Sequence, residues 1–140
     1  MGRILAIDYG RKRVGLAVTD ERKIIATALG TVHATEVFRY LTEYLSGHEV
    51  ECFVIGEPKE MTNIPSEAEK YIIPFLRILR KTFPGIRIER FDERFTSRMA
   101  VQAIRDSGIR KKQRQNKALI DSVSATLILQ SYLESITLKK

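Results

Sequence analysis

The first apolar run of the chain stops at a carboxylate. Ile4, Leu5, Ala6 and Ile7 lead into Asp8, Tyr9 and Gly10. A short apolar run closed by Gly10-Arg11-Lys12-Arg13 predicts a strand over 3–9 followed by a turn. Val14-Gly15-Leu16-Ala17-Val18-Thr19 predicts a second strand, Asp20-Glu21-Arg22-Lys23 a polar turn, and 24–30 a third strand. Turns this short join antiparallel neighbours, so the three strands form a meander.

The period then changes. Val37, Leu41, Tyr44 and Leu45 recur at helical spacing and predict a helix over 34–46, stopped at Gly47. Residues 50–55 are almost continuously apolar, the pattern of a strand at the centre of a sheet, and Gly56-Glu57-Pro58 ends it. After a loop over 59–65, Ser66 with Glu69 three residues on has a capping-box pattern. The helix it opens runs to about 82, with Pro74 expected to kink or split it. Ile86, Ile88 and Phe91 among Arg87, Glu89 and Arg90 predict a half-buried strand over 86–91. Thr96 or Ser97 opens a helix over 98–106, and a last helix covers 117–134, with Leu119, Val123, Thr126, Leu127 and Tyr132 partly periodic. The order β-β-β-α-β-α-β-α-α predicts an α/β fold: one five-stranded mixed sheet with helices on both faces. The 140 residues suit a single domain over 1–140.

Charge narrows the partner. Lys and Arg total 24 against 17 Asp and Glu, a net +7 that favours polyanions. The lone Cys52 sits in an apolar run and reads as a small core side chain, so no intramolecular disulfide forms. No apolar run approaches the ~20 residues that cross a bilayer, and none resembles a signal peptide, so a cytoplasmic protein with no membrane partner is expected. His33 and His48 have no ligand spacing and read as surface residues, and neither a nucleophile triad nor a P-loop is visible.

Three carboxylates are placed unusually. Asp8 ends the first strand, Glu93 follows the fifth, and Asp121 interrupts an apolar stretch of the last helix. A carboxylate at the end of a buried strand needs a partner, either a basic side chain or a divalent metal ion. Taken alone, each reads as a turn cap or an arginine partner. If strands one and five approach at one sheet edge and the last helix crosses it, the three converge. They then suit Mg²⁺ or Mn²⁺ and the hydrolysis of a phosphodiester. Arg110, Lys111, Lys112, Arg114 and Lys117, with Arg105, form the densest basic stretch. It reads either as a solvated loop or as a phosphate-contacting arm. Arg11, Lys12 and Arg13 at the first hairpin add to the second reading, and Arg94 offers a bidentate phosphate grip.

Four segments in order resemble the YqgF family: Ala6-Ile7-Asp8-Tyr9-Gly10 with Val14-Gly15-Leu16-Ala17-Val18; Val54-Ile55-Gly56-Glu57-Pro58; Asp92-Glu93-Arg94-Phe95-Thr96-Ser97; and Ile120-Asp121-Ser122-Val123-Ser124-Ala125. The family is also called the Holliday junction resolvase or pre-16S rRNA nuclease family. The resemblance spans nearly the whole chain. It implies a ribonuclease H-like fold related to RuvC, with metal-dependent nuclease chemistry at Asp8, Glu93 and Asp121. It further implies a role in maturing the 5′ end of 16S rRNA, with structured RNA, including pre-rRNA, as partner and branched DNA as the alternative. Two departures stand out. Glu57 replaces the family's usual apolar residue and is expected to point to solvent, and Met61-Thr62-Asn63-Ile64-Pro65 replaces a glycine-bearing loop. Two other readings use the same residues: a non-catalytic nucleic-acid or ribosome-assembly module, and an actin-type or sugar-kinase-type ATPase, which normally needs two such domains. A junction resolvase favours a homodimer, whereas an RNA-trimming enzyme is compatible with a monomer.

Overall fold

A computed structural model of the protein describes residues 2–57, 67, 69–92 and 117–138, the side chains of 117–122 and 137–138 excepted. The loop over 59–65, the Ser66 cap, the helix over 98–106 and the basic residues 110–116 lie outside the described residues.

Five strands form one sheet: β1 (Arg3–Tyr9), β2 (Arg13–Thr19), β3 (Ala26–His33), β4 (Val50–Glu57) and β5 (Arg87–Asp92). Their order across the sheet is β3-β2-β1-β4-β5. The first three pair antiparallel, as their short turns require, while β4 and β5 join parallel to β1 through helical crossovers. Helices α1 (Val37–Gly47) and α2 (Glu69–Thr82) make those crossovers, and α3 (Lys117–Leu138) is the last element.

Alternation along the strands builds two cores. Leu5, Ile7, Val14, Leu16, Phe53 and Ile55 meet Val37 and Leu41 of α1 and Ile72, Phe75 and Leu79 of α2 on one face. Ile4, Ala6, Ala17, Cys52 and Val54 meet Ala125, Ile128 and Leu129 of α3 on the other. The second face carries small residues, so α3 lies close against it. Helices on both faces of a five-stranded mixed sheet are what the element order predicts.

Several boundaries move for local reasons. The third strand begins at Ala26, because Ile24 and Ile25 both donate their N–H groups to Asp20 Oδ1, at 2.7 and 3.0 Å, and belong to the turn. It then runs to His33, with a register shift against β2 between Leu16 and Ala17; Gly30, at a φ of 135°, lies in that stretch. Pro74 does not split α2. Pro74 and Lys70 are both exposed, so the carbonyl that loses its helical donor is on the hydrated side, while Ile72, Phe75 and Leu76 hold the other side in the core. The last helix runs to Leu138, and its buried stripe is Ala125, Ile128 and Leu129. Tyr132, one of the partly periodic positions, packs against this stripe, while Ala125, Ile128 and Leu129 are not singled out by periodicity because the residues around them are so generally apolar.

At the other end of the sheet, β1 shifts register against β4 between Arg3 and Ile4. The buried Ile4 N–H is satisfied instead by the Thr19 hydroxyl at 2.9 Å.

Candidate active site at the ends of the central strands

Asp8 is the last even-numbered residue of β1. Ile4 and Ala6 before it pack on the α3 face, while Tyr9 packs on the other, so alternation puts Asp8 on the α3 face at the C-terminal end of the strand. It is half-buried. Its cross-strand partner in β2 is Gly15, and Gly56 follows Ile55, the β4 partner of Ile7. On this face both flanking positions therefore offer backbone only. Asp8 is the one side chain that β1, β2 and β4 present at that level.

The turn that follows is tightly closed. A Cβ at Gly10 would lie 2.5 Å from the Arg13 carbonyl oxygen, which no side chain tolerates. The Lys12 carbonyl accepts the Ala34 N–H at 2.8 Å and fastens the turn to the end of β3. This leaves Arg11 and Lys12 exposed and Arg13 half-buried, all three at the Asp8 end of the sheet. The Arg11 guanidinium lies 5.3 Å from the centre of the Tyr71 ring on α2, and Tyr9 stacks on Phe75 at 4.2 Å.

Strands one and five do not adjoin, contrary to the simplest route to convergence. Strand β4 lies between them, and what they share is a common end, since β1, β4 and β5 run parallel. Glu93 follows the last residue of β5 and, with Arg94, lies outside the described residues. Asp121 belongs to the first turns of α3, four residues before Ala125, and Lys117 begins that helix. Among the described residues no group of three potential metal ligands is assembled.

Glu57 does not point freely to solvent. It continues β4 on the α2 side, with a carboxylate oxygen 3.9 Å from Arg90 Nη1. Arg90 is the feature that sequence reasoning missed. It donates to both oxygens of Glu69, at 2.6 and 3.5 Å, and to the Gly56 and Ile55 carbonyls, at 3.0 and 3.4 Å. The Glu69 carboxylate, which the capping-box pattern assigns to its own helix, is instead bound across to β5. Glu57 and Glu69 flank one guanidinium that holds the end of β4 beside Asp8. Strand alternation was the available signal: Ile88 packs in the α1/α2 core and Phe91 in the α3 core, so β5 is covered on both faces and Arg90 needs a partner.

Cys52 is buried on the α3 face, and burial pushes its thiol pKa up, so it remains a protonated core side chain. His33 and His48 are exposed. No helix among the described residues is long and apolar enough to cross a membrane.

Comparison with known proteins supplies the ancestry of this arrangement. The profile of the family described as RuvX: Holliday junction resolvase matches residues 2–135. A protein of Christiangramia forsetii named "Putative pre-16S rRNA nuclease" is 52% identical over 133 residues, covering 95% of this chain and 98% of that protein. One of the same name from Phocaeicola vulgatus is 53% identical over 135 residues, covering 96% and 97%. The chain belongs to the RuvX family. Among solved structures, T. thermophilus RuvC in complex with a Holliday junction substrate matches with a TM-score of 0.58 at 14% identity, covering 96% of each chain. That likeness shows the fold, which is ribonuclease H-like as the sequence resemblance implied. In this RuvX-family chain the four segments that carry the resemblance, from Ala6 to Ala125, all fall inside the matched span.

Proposed function

We propose that this chain is a divalent-metal-dependent nuclease that hydrolyses phosphodiester bonds in structured RNA and acts in the cytoplasm on the 5′ end of pre-16S rRNA. The observation that carries the reading is the placement of Asp8, a half-buried carboxylate level with Gly15 and Gly56 at the end of the central strands. Such a position offers oxygen donors and lets a phosphate backbone come close.

The other two carboxylates of the proposed site are Glu93 and Asp121. Glu93 directly follows in sequence the end of β5, whose Phe91 packs on the α3 side. Asp121 precedes the buried Ala125 by four, the spacing at which a helix repeats a face. Three carboxylates and no soft ligand suit Mg²⁺ or Mn²⁺. A bound ion of this type activates water and offsets charge on the phosphate. The role of the protein is to fix the donors on rigid elements and to grip the substrate. Arg90 immobilises the neighbouring strand end. Arg11, Lys12 and Arg13 take phosphates next to Asp8, and Arg94, Arg110, Lys111, Lys112, Arg114 and Lys117 extend the grip.

The RuvX description and the RuvC likeness favour a second substrate, a four-way DNA junction. Junction resolution needs two symmetric cuts and therefore a homodimer, whereas trimming an RNA end proceeds with a monomer.

Two readouts separate these readings from a non-catalytic module. Mn²⁺ should raise the melting temperature of wild type but not of Asp8→Asn, because a ligand that binds only the folded state stabilises it. Cleavage of an end-labelled pre-16S leader RNA should exceed that of a four-way junction and should vanish in Asp121→Asn. No Mn²⁺ stabilisation and no cleavage of either substrate would leave the module reading in place.

A further inference from the structure

Beyond the contact of Tyr71 with Arg11, the outer face of α2 takes no part in the site described above, yet it is neither polar nor neutral. Tyr71, Ile73 and Ile78 are 43%, 44% and 52% exposed. Pro74 is exposed beside them, and positions 71, 74 and 78 fall on one helical stripe. Lys70, Arg77, Arg80 and Lys81 are exposed on the same side. Glu69, the only acid of the helix, is turned inward to Arg90, and Glu67 pairs with Lys70 at 3.6 Å. Arg77, Arg80 and Lys81 have no acidic partner among the described residues.

The stripe has a direction. At its start Arg11 covers Tyr71, and the first residue of α2 reaches the end of β4 through Arg90. It therefore begins beside the strand ends that carry Asp8. From residue 71 to residue 81 it runs about 15 Å along the helix.

An exposed apolar helix face ordinarily meets another apolar face. A second copy of this chain is a poor occupant, because a two-fold interface lays a patch against itself. It would bring Arg77, Arg80 and Lys81 of one copy onto a patch whose described exposed charges, Glu67 apart, are all basic. A single-stranded polynucleotide satisfies both halves of the surface: its phosphates take the cations, and its unpaired bases stack on an exposed ring.

We propose that the outer face of α2, from Arg11 and Tyr71 to Lys81, is a docking track for single-stranded RNA that leads to the Asp8 end of the sheet. The destination of the track rests on the nuclease reading; binding along it does not. The test is fluorescence anisotropy of a labelled oligouridylate with the full chain in EDTA, over a salt series. The Arg77→Ala/Arg80→Ala/Lys81→Ala variant should bind more weakly and lower the slope of log affinity against log salt by about 2, at roughly 0.7 for each phosphate no longer neutralised. Tyr71→Ala should lose about tenfold, and Tyr71→Phe should bind like wild type. All these positions are exposed, so circular dichroism should show an unchanged fold. Unchanged affinity in both the triple variant and Tyr71→Ala, or no binding by wild type, overturns the proposal. So does a dimer in sedimentation velocity that Tyr71→Ala dissociates, which gives the face to a second copy. Weakened variants together with a wild type that cleaves nothing uphold the track and remove the nuclease reading alone.

Discussion

Arg90 shows how much one side chain contributes to the site without touching it. It is 21% exposed, its partner Glu69 is 10% exposed, and it also holds two carbonyls at the end of β4. Removing one partner of such a pair leaves a largely buried charge, which costs more than the pair itself contributes. Arg90→Met should lower the stability measured by urea unfolding by about 3 kcal/mol. Arg90→Met combined with Glu69→Leu should recover a large part of that loss, since no charge is then stranded. A double variant no more stable than the single one would show that the carbonyl contacts dominate. At this scale the sequence was legible where a residue breaks a pattern, as Asp8 does, and silent where partners lie far apart in the chain. Glu69 and Arg90 are 21 positions apart, and local rules assign Glu69 to a capping box.

Among elements, the β2–β3 hairpin is organised by a single carboxylate. Asp20 accepts the N–H groups of Ile24 and Ile25, and these bonds hold its pKa below the usual 3.8. A carboxylate with a depressed folded-state pKa stabilises the fold above its unfolded value and loses that contribution as pH falls through the folded value. The melting temperature of Asp20→Ala should therefore lie below that of wild type near neutral pH. The gap should narrow only below about pH 4. A gap that stays constant as the pH falls well below about 4 would mean that the charge has no part in it. The same turn explains why the third strand was displaced in sequence: Ile24 and Ile25 look like strand residues, but the side chain of Asp20 captures their backbone. Helix α3 was read as a helix but only one of its core positions, Tyr132, was picked out, because of an excess of apolar residues; contact with the small-residue face of the sheet is what selects Ala125, Ile128 and Leu129. The strands β1, β2, β4 and β5 were read to within two residues, because short apolar runs bounded by Gly, Pro and charge leave little choice.

At the scale of the whole molecule, the sheet divides the labour. Its α3 face carries Asp8 at one end among glycines and alanines, and its other face carries two helices and the thicker core. The crossover topology sets the C-terminal ends of β1, β4 and β5 side by side, the end at which open α/β sheets place their ligands. The fold class was legible from element order, and the family from four short segments in sequence. The net +7 charge had pointed to a polyanion without locating it on the surface. The most direct test of Asp8 as a metal-holding carboxylate of a nuclease is cleavage of end-labelled structured RNA by wild type and Asp8→Asn, each with Mn²⁺ and with EDTA, alongside their RNA affinity in EDTA. Wild type should cut with Mn²⁺ alone, and the two proteins should bind RNA with equal affinity. Undiminished cutting by Asp8→Asn, or cutting by wild type in EDTA, would contradict that role.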